Sequence, residues 1–289
     1  MAGDVEMTIS PSASRARGRG KRRDWVAIVC AMFIGLIVIV ALLAPLIAPH
    51  DPYRVDMSKA YQGPSSSYLL GTDSLGRDLL SRLIYGARLS LAGPALVVII
   101  ATVLGVGLAL LAAWRGGWTD KVISRAFDIV FSFPGIISAV LAVALFGPGL
   151  IAPVVALSIA YLPYDGRVLR SVALRERSLT YISACYVAGL PTRTIVFRHL
   201  LPNLLPFIFV QCTLSFGYAL VDLAAVSYLG LGVAPPTAEW GLMVANGQAS
   251  ILTGHPQESL FAGILVVVTV VAFNVLGDRL ATRFSVRAQ

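Results

Sequence analysis

Charge is what this sequence has least of. Only 13% of its 289 residues are Asp, Glu, Lys or Arg, whereas 57% are hydrophobic, and the mean hydropathy is +0.79. Soluble domains carry about a quarter charged residues to keep their surfaces in water. An ordinary soluble globule is therefore excluded, and much of this surface must face lipid. Cysteine is scarce as well. Cys30, Cys185 and Cys212 are an odd number in apolar or arginine-flanked segments, which excludes a disulfide framework and leaves them as small buried hydrophobes. Histidine is limited to His50, His199 and His255, scattered along the chain. Neither H-E-x-x-H nor G-x-S-x-G is present, so metal-dependent and nucleophilic hydrolysis have no constellation to stand on. The phosphate-cradling G-x-x-x-x-G-K-[ST] loop is missing too. Gly20-Lys21 stands in a basic tail without the upstream glycine, so the chain does not hydrolyse ATP itself.

The charge that is present leans basic, with 23 Lys and Arg against 15 Asp and Glu. These residues form short clusters between long uncharged runs rather than one face of a soluble module, which argues against nucleic acid as a partner. The runs are Trp25 to Pro49, Leu89 to Trp114, Ile129 to Tyr164, Leu204 to Val221 with an extension to Ala238, and Ser259 to Gly277. A helix needs about 20 apolar residues to cross a bilayer. The third run is too long for one crossing, and Gly147-Pro148-Gly149 divides it into a hairpin. The expectation is an all-α, polytopic membrane protein with six transmembrane helices, since lipid requires each backbone group to be satisfied within its segment.

Orientation follows from the basic residues, which favour the cytoplasmic side. With the N-terminus inside, the inner segments hold Arg15, Arg17, Arg19, Lys21, Arg22 and Arg23, then Arg115, Lys121 and Arg125. They also hold Arg167, Arg170, Arg175, Arg177, Arg193 and Arg198, and finally Arg279, Arg283 and Arg287. The outer segments hold only Arg54, Lys59, Arg77, Arg82 and Arg88. The reading is N-in and C-in. Residues 1–24 form a basic tail, 25–49 the first crossing, 50–88 an extracytoplasmic segment too long for a turn, 89–281 a five-helix core, and 282–289 the inner C-terminus. Trp114 and Trp118 flank the second helix as interface anchors do.

The inner stretch 167–203 is the most informative. Tyr181-Ile-Ser-Ala-Cys-Tyr-Val-Ala-Gly189 is followed by Ile195-Val-Phe-Arg-His199-Leu-Leu-Pro202-Asn203. This predicts a helix, a Gly-Leu-Pro break, a second short helix, and a proline that ends it before the next crossing. The pattern resembles the EAA loop of bacterial ABC importer permeases, in which a coupling helix docks into a groove on a cytoplasmic ATPase. Ser183-Ala184-Cys185 stands where Glu-Ala-Ala is usual, so the acidic contact is not carried over. Further matches resemble the dipeptide, oligopeptide and nickel permeases, and within them the C-type subunit. They are Leu70-Gly-Thr-Asp73 through Gly86-Ala-Arg88-Leu-Ser-Leu91, Val226-Ser-Tyr-Leu-Gly-Leu-Gly232 with Pro235-Pro236 and Glu239-Trp240-Gly241, and Ala272-Phe-Asn-Val-Leu-Gly-Asp278.

The resemblance implies an ABC type I importer permease fold and a translocation subunit, not an enzyme. It implies a B-type permease partner, two cytoplasmic ATPases that bind ATP and Mg, an extracytoplasmic substrate-binding protein, and a short peptide, dipeptides first, as substrate. No cofactor is implied for this chain. Tyr181, Ser183, Ala184, Cys185, Gly189, Ile195, His199 and Pro202 would form the ATPase-coupling loop. Pro134, Asp222 and Ser227 are the candidates for the translocation pathway. Asp222 is the one acid deep in an uncharged run and by default faces a cavity or a partner. Packing between helices is the alternative reading, and the family's acid usually falls at Leu223, about 100° around the helix. Pro134-Gly135, within the third helix, suits either a pathway-lining bend or a packed kink. Asp128 and Asp165 read as interfacial acids or partners of nearby arginines. An ion-driven secondary carrier would need several embedded ionisable groups, and only Asp222 qualifies on sequence.

Overall fold

The computed structural model describes residues 24–285. The basic tail with Arg15, Arg17, Arg19, Lys21, Arg22 and Arg23, and Arg287 near the other end, lie outside the described residues. Those described are helical apart from turns, loops and one isolated bridge between Thr72 and Asp78. Helix α1 spans Asp24–Leu42 and α2 is a short continuation at Ala44–Ile47. After a long loop come α3 (Leu79–Arg115), α4 (Gly117–Phe131), α5 (Gly135–Phe146) and α6 (Ile151–Arg177). Then follow α7 (Thr180–Val187), α8 (Thr192–Thr194), a π-helical turn at Ile195–Leu200, and α9 (Leu201–Tyr228). Two short helices, α10 (Trp240–Asn246) and α11 (Gln248–Leu252), precede α12 (Gln257–Ser285).

Among the described residues four helices are long and apolar enough to cross a membrane: α1, α3, α8–α9 taken together, and α12. The bent pair α4 and α5 makes a fifth if counted as one span. Helix α6 is apolar only over its first half, because Asp165, Arg167 and Arg170 enter its second. The spans form one bundle in which α3 packs along α6 and α9, and α12 lies along α9. Its centre is filled by Val97, Val98, Ala139, Val154, Leu157, Ala219, Leu223 and Val226. Large apolar side chains such as Leu42, Val103, Leu145 and Phe146 lie exposed on the outside of the bundle.

Three local expectations meet different outcomes. Gly147-Pro148-Gly149 is the turn of the α5–α6 hairpin, with Gly147 and Gly149 at positive φ. Pro134, expected inside a continuous helix, instead caps α5 with ψ 131°, and α4 and α5 meet at 78°. Proline has no N–H to give the preceding turn, and it pushes the residue before it out of helical geometry. Pro202, expected to end the second short helix, does not end it. The chain passes through the π turn straight into α9, with Pro202 in that helix's first turn.

The segment read as extracytoplasmic is ordered, and α3 begins inside it at Leu79. Asp78 caps that helix, its Oδ2 accepting from Ser81 N at 3.0 Å. Asp73 accepts from Arg77 Nε at 2.6 Å and lies 3.5 Å from Arg82 Nε, all three being buried. Glu239, Trp240 and Gly241 clamp the loop after α9 onto α3. Trp240 Nε1 donates to the Leu83 carbonyl at 3.0 Å, Ser90 Oγ donates to Glu239, and a Cβ on Gly86 would meet the indole at 3.1 Å.

Candidate functional site

Two sites stand out, one at the α7 end of the bundle and one in a cleft beside Asp222. At the α7 end, Ile182, Ile195, Val196, Leu200 and Leu204 pack into Leu110, Ala113 and Ala173. Arg177 Nη1 donates to the Ala113 carbonyl at 2.5 Å and its guanidinium lies over Trp114, which stacks on Tyr186. Gly189, at φ +73°, makes the turn after α7, a backbone conformation that side chains rarely adopt. The result is a helix–turn–helix fixed to the ends of α3, α6 and α9.

The candidates on this segment divide into two layers. Ser183, Ala184, Gly189 and Pro202 are exposed, and so are Val187 (90%) and Phe197 (65%). Ile195 is fully buried and Cys185 packs half-buried against the same cluster, so these two support the platform, while His199 is half-buried. Tyr181 also supports it. Its hydroxyl donates to Glu176 at 3.0 Å and accepts from Asn203 Nδ2 at 2.8 Å. Burial, with the Glu176 carboxylate adding to it, raises that phenol above its ordinary pKa and keeps it a donor. The exposed apolar side chains on a rigid platform are the sort of patch that marks a protein interface.

The cleft gathers residues that are far apart in sequence. Phe131, Phe133, Pro134, Gly135, Tyr161, Tyr164, Tyr218 and Asp222 line about 430 Å³ where the α4–α5 break opens beside α6 and α9. Tyr161 donates to Asp222 Oδ2 at 2.9 Å. Pro134 and Asp222 thus share one cavity wall. Ser227 is elsewhere. It is buried under the loop after α9, against Gly232 and Gly241.

Asp165 is where the sequence reading needs correcting. It is wholly buried and, among the described residues, pairs with no arginine. Its Oδ1 accepts from Gln211 Nε2 at 3.1 Å and Ser215 Oγ at 2.9 Å, and its Oδ2 from Thr102 Oγ1 at 3.2 Å. One carboxylate therefore ties α6 to α3 and α9. Asp128 behaves as expected, meeting Arg167 at 2.7 Å, while Asp120 forks onto Arg170 and fastens α4 to α6. Cys30, Cys185 and Cys212 are free thiols, and among the described residues no group of three His, Cys, Asp or Glu is placed to hold a metal.

Residues 101–289 match the family model described as binding-protein-dependent transport system inner membrane component. Residues 21–64 match the N-terminal transmembrane domain of oligopeptide transport permease C. The glutathione transport system permease protein of Pectobacterium atrosepticum is 38% identical over 259 residues, covering 89% of this chain and 86% of that relative. The dipeptide transport system permease protein of Alkalihalophilus pseudofirmus is also 38% identical, covering 90% and 85%. The di/tripeptide transport system permease protein of Pseudomonas aeruginosa is 41% identical, covering 86% and 84%. Among solved structures, a chain of the MetNI methionine ABC transporter in inward-facing form superposes with TM-score 0.57 at 22% identity. It covers 71% of this chain and 97% of that one.

Proposed function

The chain belongs to the family of binding-protein-dependent transport system inner membrane components, a multi-pass inner-membrane permease subunit of C type, and from that premise we propose that it imports short peptides, dipeptides first. The exposed Val187 on a platform welded to three helices is the observation that carries the reading. Such a surface transmits force only when something grips it. In this reading α6 is the sixth crossing, both termini are cytoplasmic, and 89–281 is the permease core. The coupling loop comprises Tyr181, Ser183, Ala184, Cys185, Gly189, Ile195, His199 and Pro202, the exposed members docking and the buried ones bracing. A homologous B-type permease completes the pathway, two cytoplasmic ATPases bind ATP and Mg, and an extracytoplasmic binding protein delivers the peptide.

Nucleotide-driven closure of the ATPases would carry Thr180 to Leu200 as one body, and the α4–α5 break with Pro134 and Asp222 would form part of the moving wall. Two conformations with different affinity for ATP are sufficient for this coupling. Tagged chain purified from its native membrane is the test. Recovery of a second permease and ATPase subunits, with ATP hydrolysis stimulated by peptide-loaded binding protein, is the expected result. A lone chain with no ATPase attached would overturn the proposal.

A further inference from the structure

A second cavity lies at the opposite end of the bundle from α7. Val38, Ala41 and Leu42 of α1 face Leu89, Leu91, Ala92 and Ala95 of α3, with Phe216 and Phe273 beyond them, around a groove of about 650 Å³. That volume is within the roughly 300–1,000 Å³ of small-ligand clefts. The two phenylalanine rings stack at 3.9 Å on the side of α9 and α12. Leu42 is 72% exposed and Ala92 is exposed, so the groove opens sideways along the apolar part of the bundle. Its wall is almost wholly hydrocarbon apart from Arg88, Tyr53 and Tyr85.

Arg88 sets this groove apart. Lys59 is paired with Asp56, and Arg77 and Arg82 with Asp73. Arg54 and Arg88 are exposed, and neither side chain makes a hydrogen bond or ion pair among the described residues; of the two, the one on this groove is Arg88. It stands at the start of the uncharged Leu89 to Trp114 run, the level of a membrane–water interface. Tyr53 and Tyr85, edge-on at 6.2 Å, sit where interfacial aromatics belong. A planar cation with five donors suits a phosphate, and the hydrocarbon wall beside it suits an acyl chain.

We infer that this groove is a binding site for one anionic phospholipid, its phosphate on Arg88 and an acyl chain along α1 and α3. The site goes beyond the transport reading and does not depend on the substrate. A bare surface arginine reaching into bulk headgroups would hold no particular lipid, whereas a lined groove retains one through purification.

The test uses the complex purified in mild detergent, with bound lipid quantified by mass spectrometry. One phosphatidylglycerol per chain is expected in the native protein. Arg88→Gln should lower that retention about fivefold, the scale of one basic residue's attraction to an anionic headgroup, and Arg88→Lys, which keeps the charge but loses the planar fork, should fall between the two. Ala92→Trp, which fills the groove and leaves Arg88 in place, should lower it too, so the result does not hang on one variant. Thermal stability of each variant separates lost lipid from lost folding. Retention of phosphatidylcholine equal to that of phosphatidylglycerol, displacement by millimolar inorganic phosphate, or cross-linking of Ala92→Cys to a second permease would each overturn the site.

Discussion

Asp165 carries three hydrogen bonds from three uncharged donors on two other helices. Removing an acceptor from such a place strands the donors, at a cost of about 1–3 kcal/mol per buried group. Asp165→Ala should therefore lower the unfolding temperature in detergent clearly, and Asp165→Asn less, because the amide oxygen still accepts. Equal melting of Asp165→Ala and the native chain would mean the contacts contribute nothing. Asp222 has a single bonded partner, Tyr161, and an open cleft. Asp222→Asn should leave assembly intact and reduce uptake severalfold in proteoliposomes. Failure to assemble would assign the acid to packing. The sequence could single out Asp222, isolated in an apolar run, yet hid Asp165. Two arginines follow Asp165 within five residues, which makes it look interfacial, and its true partners are 46 to 63 positions away and uncharged.

At the scale of elements, what could be read in advance was local. Gly147-Pro148-Gly149 and Gly189 mark turns because positive φ is a property of the residue itself. Proline was harder to read. Pro134 breaks its helix and Pro202 does not, a difference set by position within the turn and by the π turn upstream, which no spacing announces. The short helix α4 was likewise invisible as part of the bundle, since its hold on α6 comes from Phe127 under Gly166 and from Asp120 on Arg170. Gly189 is open to solvent with no atom near a would-be Cβ, so a substitution there acts through the backbone alone. Gly189→Val would strain the turn by about 1–2 kcal/mol and should cut the peptide taken up per ATP hydrolysed while leaving the protein abundant in the membrane. Unchanged coupling in proteoliposomes would show that the turn need not be rigid.

For the whole molecule, the apolar runs and the basic asymmetry gave the membrane class, and the four spans long enough to cross coincide with four of the runs. The crossing by α6 and the orientation can be read directly by labelling. Tyr68→Cys and Thr192→Cys, each in a chain whose own three cysteines are replaced by serine, should label differently with an impermeant thiol reagent on intact cells. Tyr68→Cys should react and Thr192→Cys should react only after permeabilisation. The reverse pattern would invert the topology. The same experiment at Trp118→Cys, expected to be protected on intact cells, checks the second inner segment independently.

The unbroken run from Thr192 to Tyr228 has a mechanical meaning. Its 37 residues make a rod about 55 Å long at 1.5 Å per residue. Asp165 grips it at Gln211 and Ser215, about 32 Å from the Thr192 end and about 14 Å short of Asp222. That is a lever with its fulcrum off centre. If the rod moves as one piece, a sideways pull on Thr192 turns it about the grip and swings Asp222 the opposite way, by about two-fifths of the distance. Such gearing would turn a longer stroke at Thr192 into a shorter, more forceful one at the cleft.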